Sequence, residues 1–374
     1  MTFLLLLACT PAPTCTDDTL EPDAPGFPFT EAIPTFSLTL SEEARNALPA
    51  VASEAGPDVP ATFGWSGEEW EVGLDLKGNT SFRTLEEKAS FKIDFHEFHE
   101  DETFHGLRRL RLDSMVGDRT MLAAHLAYDL YARLGVPAPR QGFACVEVDG
   151  EDFGLYSLVE TLDEQFLERA FEEPDGWLFD RSGLGDLTPE GVGAFEIEED
   201  GEGDGRGALR DLVVEIDTAP ALLPVLEARF DADALLTELT VEYAIAAVDG
   251  YALNANNLLL YLEPAAGRWW LLPWGIDQAF GLPANVVTMD AERSGMLARR
   301  CLEESEWKQA LLTKLGPVAD AMAELDAPEA VERIRRFAEA DPRTETSDTE
   351  RWFAWQDLLA FVDGRPEALR EVGG

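Results

Sequence analysis

Two apolar runs, Leu258-Leu259-Leu260-Tyr261-Leu262 and Trp269-Trp270-Leu271-Leu272, flank a short proline- and glycine-bearing segment at 263–268. Short apolar runs bounded by turn residues predict a β-hairpin. A hairpin constrains more than its own strands, because it returns the chain to its starting point. Whatever precedes Leu258 is brought against whatever follows Leu272. Before the hairpin stand Asp249-Gly250 and Asn254-Ala255-Asn256-Asn257, at the end of a helix predicted near 232–248 with Asp231 or Asp233 as its cap. After it stands Pro273-Trp274-Gly275-Ile276-Asp277, followed by Gly281. Asp249, the asparagines and Asp277 are therefore expected to face one site, rich in oxygen donors and suited to Mg²⁺ or Mn²⁺. A helix dipole disfavours a carboxylate at its C-terminus, where this reading puts Asp249. The plain alternative makes Asp249 and Asn254 turn and cap residues.

Upstream the periodicity is that of strands. Thr35 to Leu40, Trp70 to Leu76 and Ser90 to Phe95 alternate apolar and polar residues. Residues 144–148 and 153–159 form a second hairpin about Asp149-Gly150. Leu122, Leu126, Leu130 and Leu134 recur every four residues. They predict a helix near 119–134, capped by Asp118 and ended by Gly135 and Pro137. Residues 182–207 read as a solvated, acidic, glycine-rich loop whose spacing does not fit an EF-hand. From about 304 onward the pattern is helical. Strands first and helices later predict an α+β fold.

Charge narrows the function. The chain carries 29 basic and 73 acidic residues, a formal net charge of −44. That excludes a surface that gathers nucleic acid by general attraction to phosphate. Lysine occurs only at Lys77, Lys88, Lys92, Lys308 and Lys314, three of them in one short stretch. An ammonium suits phosphate oxygens, while a solvated strand face accounts for the same residues without a ligand. The opening Met1-Thr-Phe-Leu-Leu-Leu-Leu-Ala-Cys9 is too short to cross a bilayer. It reads as the end of a secretory signal. Leu6-Leu7-Ala8-Cys9 is similar to a bacterial lipobox, with Cys9 as the lipidated residue. Residues 1–30 are thus expected to be signal and Pro-rich tether, and 31–374 one domain. An extracytoplasmic protein follows, touching the membrane only through a lipid anchor at Cys9. Cys15, Cys145 and Cys301 are too few and scattered for a disulfide framework, and Cys145 reads as core. His96, His99 and His105, set among acidic residues, read as incidental members of a polar loop.

In the order of its motifs the chain resembles the CotH kinase family over most of residues 35–315. Leu76-Lys77-Gly78-Asn79-Thr80-Ser81 is similar to the family's Arg-Gly-Asn-Ser turn, and Lys88 through Phe95 to its Lys-x-Ser-Phe/Tyr-Lys-x-x-Phe. Segments 118–122 and 134–140 follow in order. Residues 146–160 look like Asn-Gly-x-Tyr-x-Gly-x-Tyr-x-x-x-Glu, and 249–261 with 273–281 complete the series. The resemblance implies an atypical protein-kinase-like fold that binds ATP with Mg²⁺ and phosphorylates Ser/Thr of a protein acceptor. The Asp249–Asn254 spacing matches a kinase catalytic loop. Carried over, Asp249 is the catalytic aspartate, and Asp277 with Asn254 or Asn257 holds the metal. Lys77, Lys88 and Lys92 contact phosphate, and Glu160 orients a basic group. The chain departs from the family twice. Gly275 stands where Pro-Trp-Asp-x-Asp/Glu has its first acid, and Asp180 where a Lys is usual, with Arg181 as its stand-in. These departures open a second reading, a pseudokinase-like surface binding or structural module with a degraded metal site.

Overall fold

The computed structural model describes residues 26–52, 58–181, 185–264, 266–289 and 295–374. Strands come first: β1 (Thr35–Leu40), β2 (Val59–Trp65), β3 (Glu68–Lys77), β4 (Ser90–Asp94), β5 (Arg109–Asp113), β6 (Gln141–Val148) and β7 (Glu151–Glu160). They close a barrel in the order β1-β2-β3-β4-β5-β7-β6, sealed by parallel pairing of β1 with β6. Helix α1 (Glu42–Ala47) follows β1, and α2 (Ala123–Arg133) joins β5 to β6. Strand alternation assigns the two faces. Leu74, Leu76, Phe91, Ile93, Leu110, Leu112, Tyr156 and Leu158 fill the barrel with Phe36, Leu38 and Phe63. Each such side chain contributes about 1.5–3 kcal/mol relative to exposure. Asp75, Lys77, Lys92, Arg111 and Asp113 take the outer face, where Asp75 pairs with Lys92 and Lys92 with Arg111 across the strands.

The second half is mainly helical around one small sheet. It contains α3 (Glu164–Ala170), β8 (Trp177–Arg181), β9 (Glu196–Glu199), α4 (Gly205–Thr218), α5 (Leu223–Arg229), α6 (Ala232–Ile245) and α7 (Tyr251–Asn254). Then come β10 (Leu258–Glu263), β11 (Arg268–Leu272), α8 (Met296–Glu303), α9 (Ser305–Met322), α10 (Ala327–Ala340) and α11 (Asp348–Gly373). The sheet order is β11-β10-β8-β9. The expected hairpin is present, with Leu259 opposite Leu272 and Glu263 opposite Arg268. The fold is α+β, β-rich first and helical after. A helix apolar all round belongs in the interior, and every residue of α6 from Leu235 to Ile245 is buried.

Four local expectations are corrected. Helix α6 stops at Ile245, because Ala246 turns left-handed at φ 54°. Asp249 therefore lies beyond the helix end, in the turn before α7, and the dipole argument against it lapses. The acidic stretch at 196–199 is not loop but edge strand: β9 pairs with β8, placing Ile197 opposite Phe179. That pairing satisfies backbone groups that β8 would otherwise leave open. Asp118 acts on α2 from upstream, accepting from the Ala123 N–H at 2.9 Å, whereas Leu122 is the cap residue. Cys145 is buried as expected but is disulfide-bonded, with a partner outside the described residues. Cys9 and most of the expected signal and tether also lie outside them.

Candidate functional site

The chain that leaves α6 is tied to the chain that leaves β11. Val248 N–H donates to the Gln278 carbonyl at 3.1 Å, and Phe280 N–H to the Ile245 carbonyl at 2.6 Å. Arg365 of α11, fully buried, donates to the carbonyls of Tyr243 and Ala244 at 2.8 and 2.7 Å and to Val286 at 2.6 Å. It thereby occupies the acceptor end of α6, where a cation is favoured. Within this frame Asn257 joins the two loops. Its amide donates to the Asp249 carbonyl at 2.9 Å and to the Gly275 carbonyl at 3.2 Å. Asn256 donates to Asp249 Oδ1 at 2.9 Å, and Gln278 approaches Asp249 Oδ2 at 3.4 Å. Asn257 is left-handed at φ 53°, a conformation asparagine tolerates. The hairpin thus brings the Asp249 turn against the loop of Gly275 and Gln278.

The barrel supplies the facing wall. Lys77, the last residue of β3, pairs with Asp113 at 2.5 Å. Burial opposes ionisation of Asp113, yet the adjacent Lys77 ammonium holds its carboxyl below the usual range. Burial pushes the Asp277 carboxyl up to about 7, Asp113 and Asp118 push the same way, and Lys77 opposes them. Three carboxyls therefore meet where one ammonium stands. Arg111 lies on the same outer face as Lys77, stacked with its guanidinium 4.5 Å from the Trp274 ring centroid. No hydrogen bond or ion pair reaches that guanidinium among the described residues. Burial lowers its pKa, against the opposing pull of Glu198, Asp180 and Asp163.

Gly275 leaves no room for the missing family carboxylate. Its φ is +62°, and a Cβ there would stand 2.4 Å from Asn257 Nδ2. Two oxygens on these loops are of the type a divalent cation takes. Asn256 Oδ1 is buried without a hydrogen-bond partner among the described residues. Asp277 adds an oxygen in a setting short of positive charge. Hard cations take such oxygen sets.

Other expected residues go elsewhere. Lys88 does not face the cleft. It is 2% exposed, its ammonium bonded to Asp341 and, at 2.8 Å, to the Leu155 carbonyl. It lies two residues before β4, where strand alternation no longer governs direction. Lys92 is exposed on the outer barrel face. Glu160 pairs with Arg140 at 2.6 Å and Arg169 at 2.7 Å. Those arginines line a cavity of about 730 Å³ beside α2. Arg181 ends β8 opposite Leu258, with its side chain against Gly185. The side chain of Asn254 joins none of the bonds around Asp249; its backbone N–H closes α7 onto Gly250 at 3.0 Å. Arg111 and Asp113 carry no motif and escape the sequence reading, whereas Asn256 belongs to the asparagine run already expected there. The alternation Arg109-Leu110-Arg111-Leu112-Asp113 already assigns the first two to one face.

A sequence profile described as CotH kinase protein matches residues 74–367. The inner spore coat protein H of Bacillus subtilis is 24% identical over 336 residues, covering 84% of this chain and 90% of that one. Among solved structures, the Helicobacter pylori proinflammatory kinase CtkA aligns at TM-score 0.31 and 7% identity, covering 87% of this chain and 95% of that one. The Golgi casein kinase with Mn/ADP bound aligns at TM-score 0.31 and 8% identity, covering 88% and 76%. The profile takes in both halves of the site, from the barrel strand that ends in Lys77 to the loop that carries Asp277, and the chain belongs to the CotH kinase family.

Proposed function

We propose that this chain is a protein Ser/Thr kinase that uses ATP with Mg²⁺ or Mn²⁺ and acts outside the cytoplasm. One observation carries the reading: the Asn257 amide ties the Asp249 turn to the Gly275 carbonyl, two residues from Asp277. A candidate base and a candidate metal carboxylate are thereby held in one frame. Asp277, with the amide oxygens of Asn256 and Asn257, would hold the metal, which when bound offsets the charge of a triphosphate. Lys77 and Arg111 offer the terminal phosphates an ammonium and a guanidinium from the barrel side. Asp249 accepts the proton of the acceptor hydroxyl as its oxygen bonds to the γ-phosphorus, and the bond to the β-phosphate oxygen breaks to release ADP. The acceptor is a protein rich in Ser/Thr. Extracytoplasmic action draws on the lipobox-like Leu6-Leu7-Ala8-Cys9 and on the disulfide at Cys145, since disulfides persist in oxidising compartments.

A second reading, a pseudokinase-like binding or structural module, draws on Gly275, which leaves Asp277 as the one acid of its motif, and on Asp180, which faces Arg111. Thermal melting and label transfer from γ-labelled ATP separate the two. ATP at about a hundredfold excess over Kd, with Mg²⁺, is expected to stabilise the protein by about 2.7 kcal/mol. Asp249→Ala keeps that shift and abolishes transfer, while Arg111→Met reduces the shift. A shift without transfer in the parent chain favours the pseudokinase. No shift and no transfer with either metal, at low and high salt, sinks the kinase and leaves a module whose nucleotide site is gone.

A further inference from the structure

Helix α6 carries two carboxyls that the reaction above does not use. Glu238 and Glu242 are one turn apart, 1% and 2% exposed, and hydrogen-bonded to each other. No cation neutralises them among the described residues. Two carboxyls in such contact, out of water, hold one proton between them. Burial raises both, Glu242 to about 7, and Glu242 adds to the rise at Glu238.

The partners of Glu242 say which group keeps the charge. Its Oε1 accepts from the Tyr251 N–H at 3.1 Å, and its Oε2 from the Ala252 N–H. These are the two residues after Asp249-Gly250. Glu238 has no backbone donor, and its Oε2 has no hydrogen-bond partner among the described residues. The anion therefore sits on Glu242 and the proton on Glu238. The fit is close: a Cβ on Gly250 would lie 2.6 Å from Glu242 Oε2. On its far side α7 is anchored separately, as the Tyr251 hydroxyl donates to Asp186 at 2.9 Å. The other titratable group facing the pair is Tyr131 of α2, whose hydroxyl is buried and unpartnered among the described residues.

We propose that Glu242 is a positioning residue for Asp249. Its carboxylate, steadied by a hydrogen bond from protonated Glu238, grips the start of α7 and through Gly250 sets the angle at which Asp249 meets the cleft. This rests on the reading of Asp249 as the base. A glutamine at 242 replaces one of the two accepting oxygens with an NH2, which faces an N–H donor and breaks that half of the grip. A glutamine at 238 still donates to Glu242 and preserves the grip.

The test compares parent, Glu242→Gln and Glu238→Gln in full-length protein. Hydrogen exchange is read at the Tyr251 and Ala252 amides, and phosphotransfer is read as kcat and KM for ATP. Glu242→Gln should exchange faster at those two amides and lose roughly 10²-fold in kcat with KM little changed. Glu238→Gln should match the parent in both. Should Glu242→Gln fail to fold, Gly250→Ala presses on the same carboxylate and should speed the same amides. Parent-like exchange in Glu242→Gln, or equal kcat loss in Glu238→Gln, overturns the proposal. A parent that transfers no phosphate counts against the kinase reading, and amide exchange alone then decides whether Glu242 holds the turn.

Discussion

Gly275→Asp recreates the acid that the family carries at this position, and a degraded-site reading expects it to repair metal binding. The structure predicts the opposite. Gly275 has φ +62°, and its Cβ would stand 2.4 Å from Asn257 Nδ2 and 2.5 Å from Cγ. A left-handed aspartate costs about 1 kcal/mol. Asn257 has to move, giving up its bonds to the Asp249 and Gly275 carbonyls at 2.9 and 3.2 Å. Each such bond contributes about 1 kcal/mol net, for a total near 3 kcal/mol. Urea unfolding of parent, Gly275→Ala and Gly275→Asp, at several Mg²⁺ concentrations, measures this directly. The alanine shares the collision and lacks the carboxylate, so both variants should lose about 3 kcal/mol, and the aspartate should bind Mg²⁺ no more tightly than the parent. A Gly275→Asp protein as stable as the parent, with tighter Mg²⁺ binding, would refute the argument. Asn257 would then be a movable side chain and not the clasp between the loops.

Lys88→Met strips the ammonium from a buried pair and leaves Asp341 with the Leu155 and Arg343 N–H groups at 3.1 and 3.0 Å. Loss of one member of such a pair costs about 3–5 kcal/mol, read as a lower urea midpoint, with ATP affinity retained. A stable variant that has lost ATP binding would return Lys88 to the cleft. Burial raises the Asp163 carboxyl from 3.8 to about 6, so its contribution to stability is present below pH 3.8 and is lost as pH rises through 6. Asp163→Asn keeps the bond from the Phe166 N–H and does not titrate there. It should gain on the parent between pH 4 and 7, by at most about 3 kcal/mol, and a difference that stays flat with pH rules this out.

What the sequence made legible was local or periodic. The hairpin from Leu258 to Leu272 needs only its own residues, and once it forms, the approach of the Asp249 turn to the Gly275 loop follows from chain continuity. Barrel alternation was equally readable: Leu110 and Leu112 turn inward, so Arg111 and Asp113 turn out. Attention to lysine as the phosphate-binding type passed over Arg111, although the parity of its strand assigns it the face that carries Lys77.

The residues that went elsewhere did so for reasons no periodicity carries. Lys88 is two residues outside β4, and its direction is set by Asp341, which arrives from the junction of α10 and α11 more than two hundred residues later. Glu160 finds Arg169 nearby in the chain, yet the meeting depends on where α3 turns after β7. Glu238 and Glu242 show a further kind of opacity. Spaced four apart, they read as an exposed helical stripe, the ordinary place for charge. Only the apolar residues around them argue otherwise: with Leu235, Leu236, Leu239, Val241 and Ile245 covering the remaining directions, α6 has no wet side on which to put a carboxylate. A charged pair in a helix without a polar face must share a proton or find donors, and here it does both. The donors it finds belong to the turn that carries Asp249, so a residue pair that composition files under surface charge stands directly beneath the candidate base.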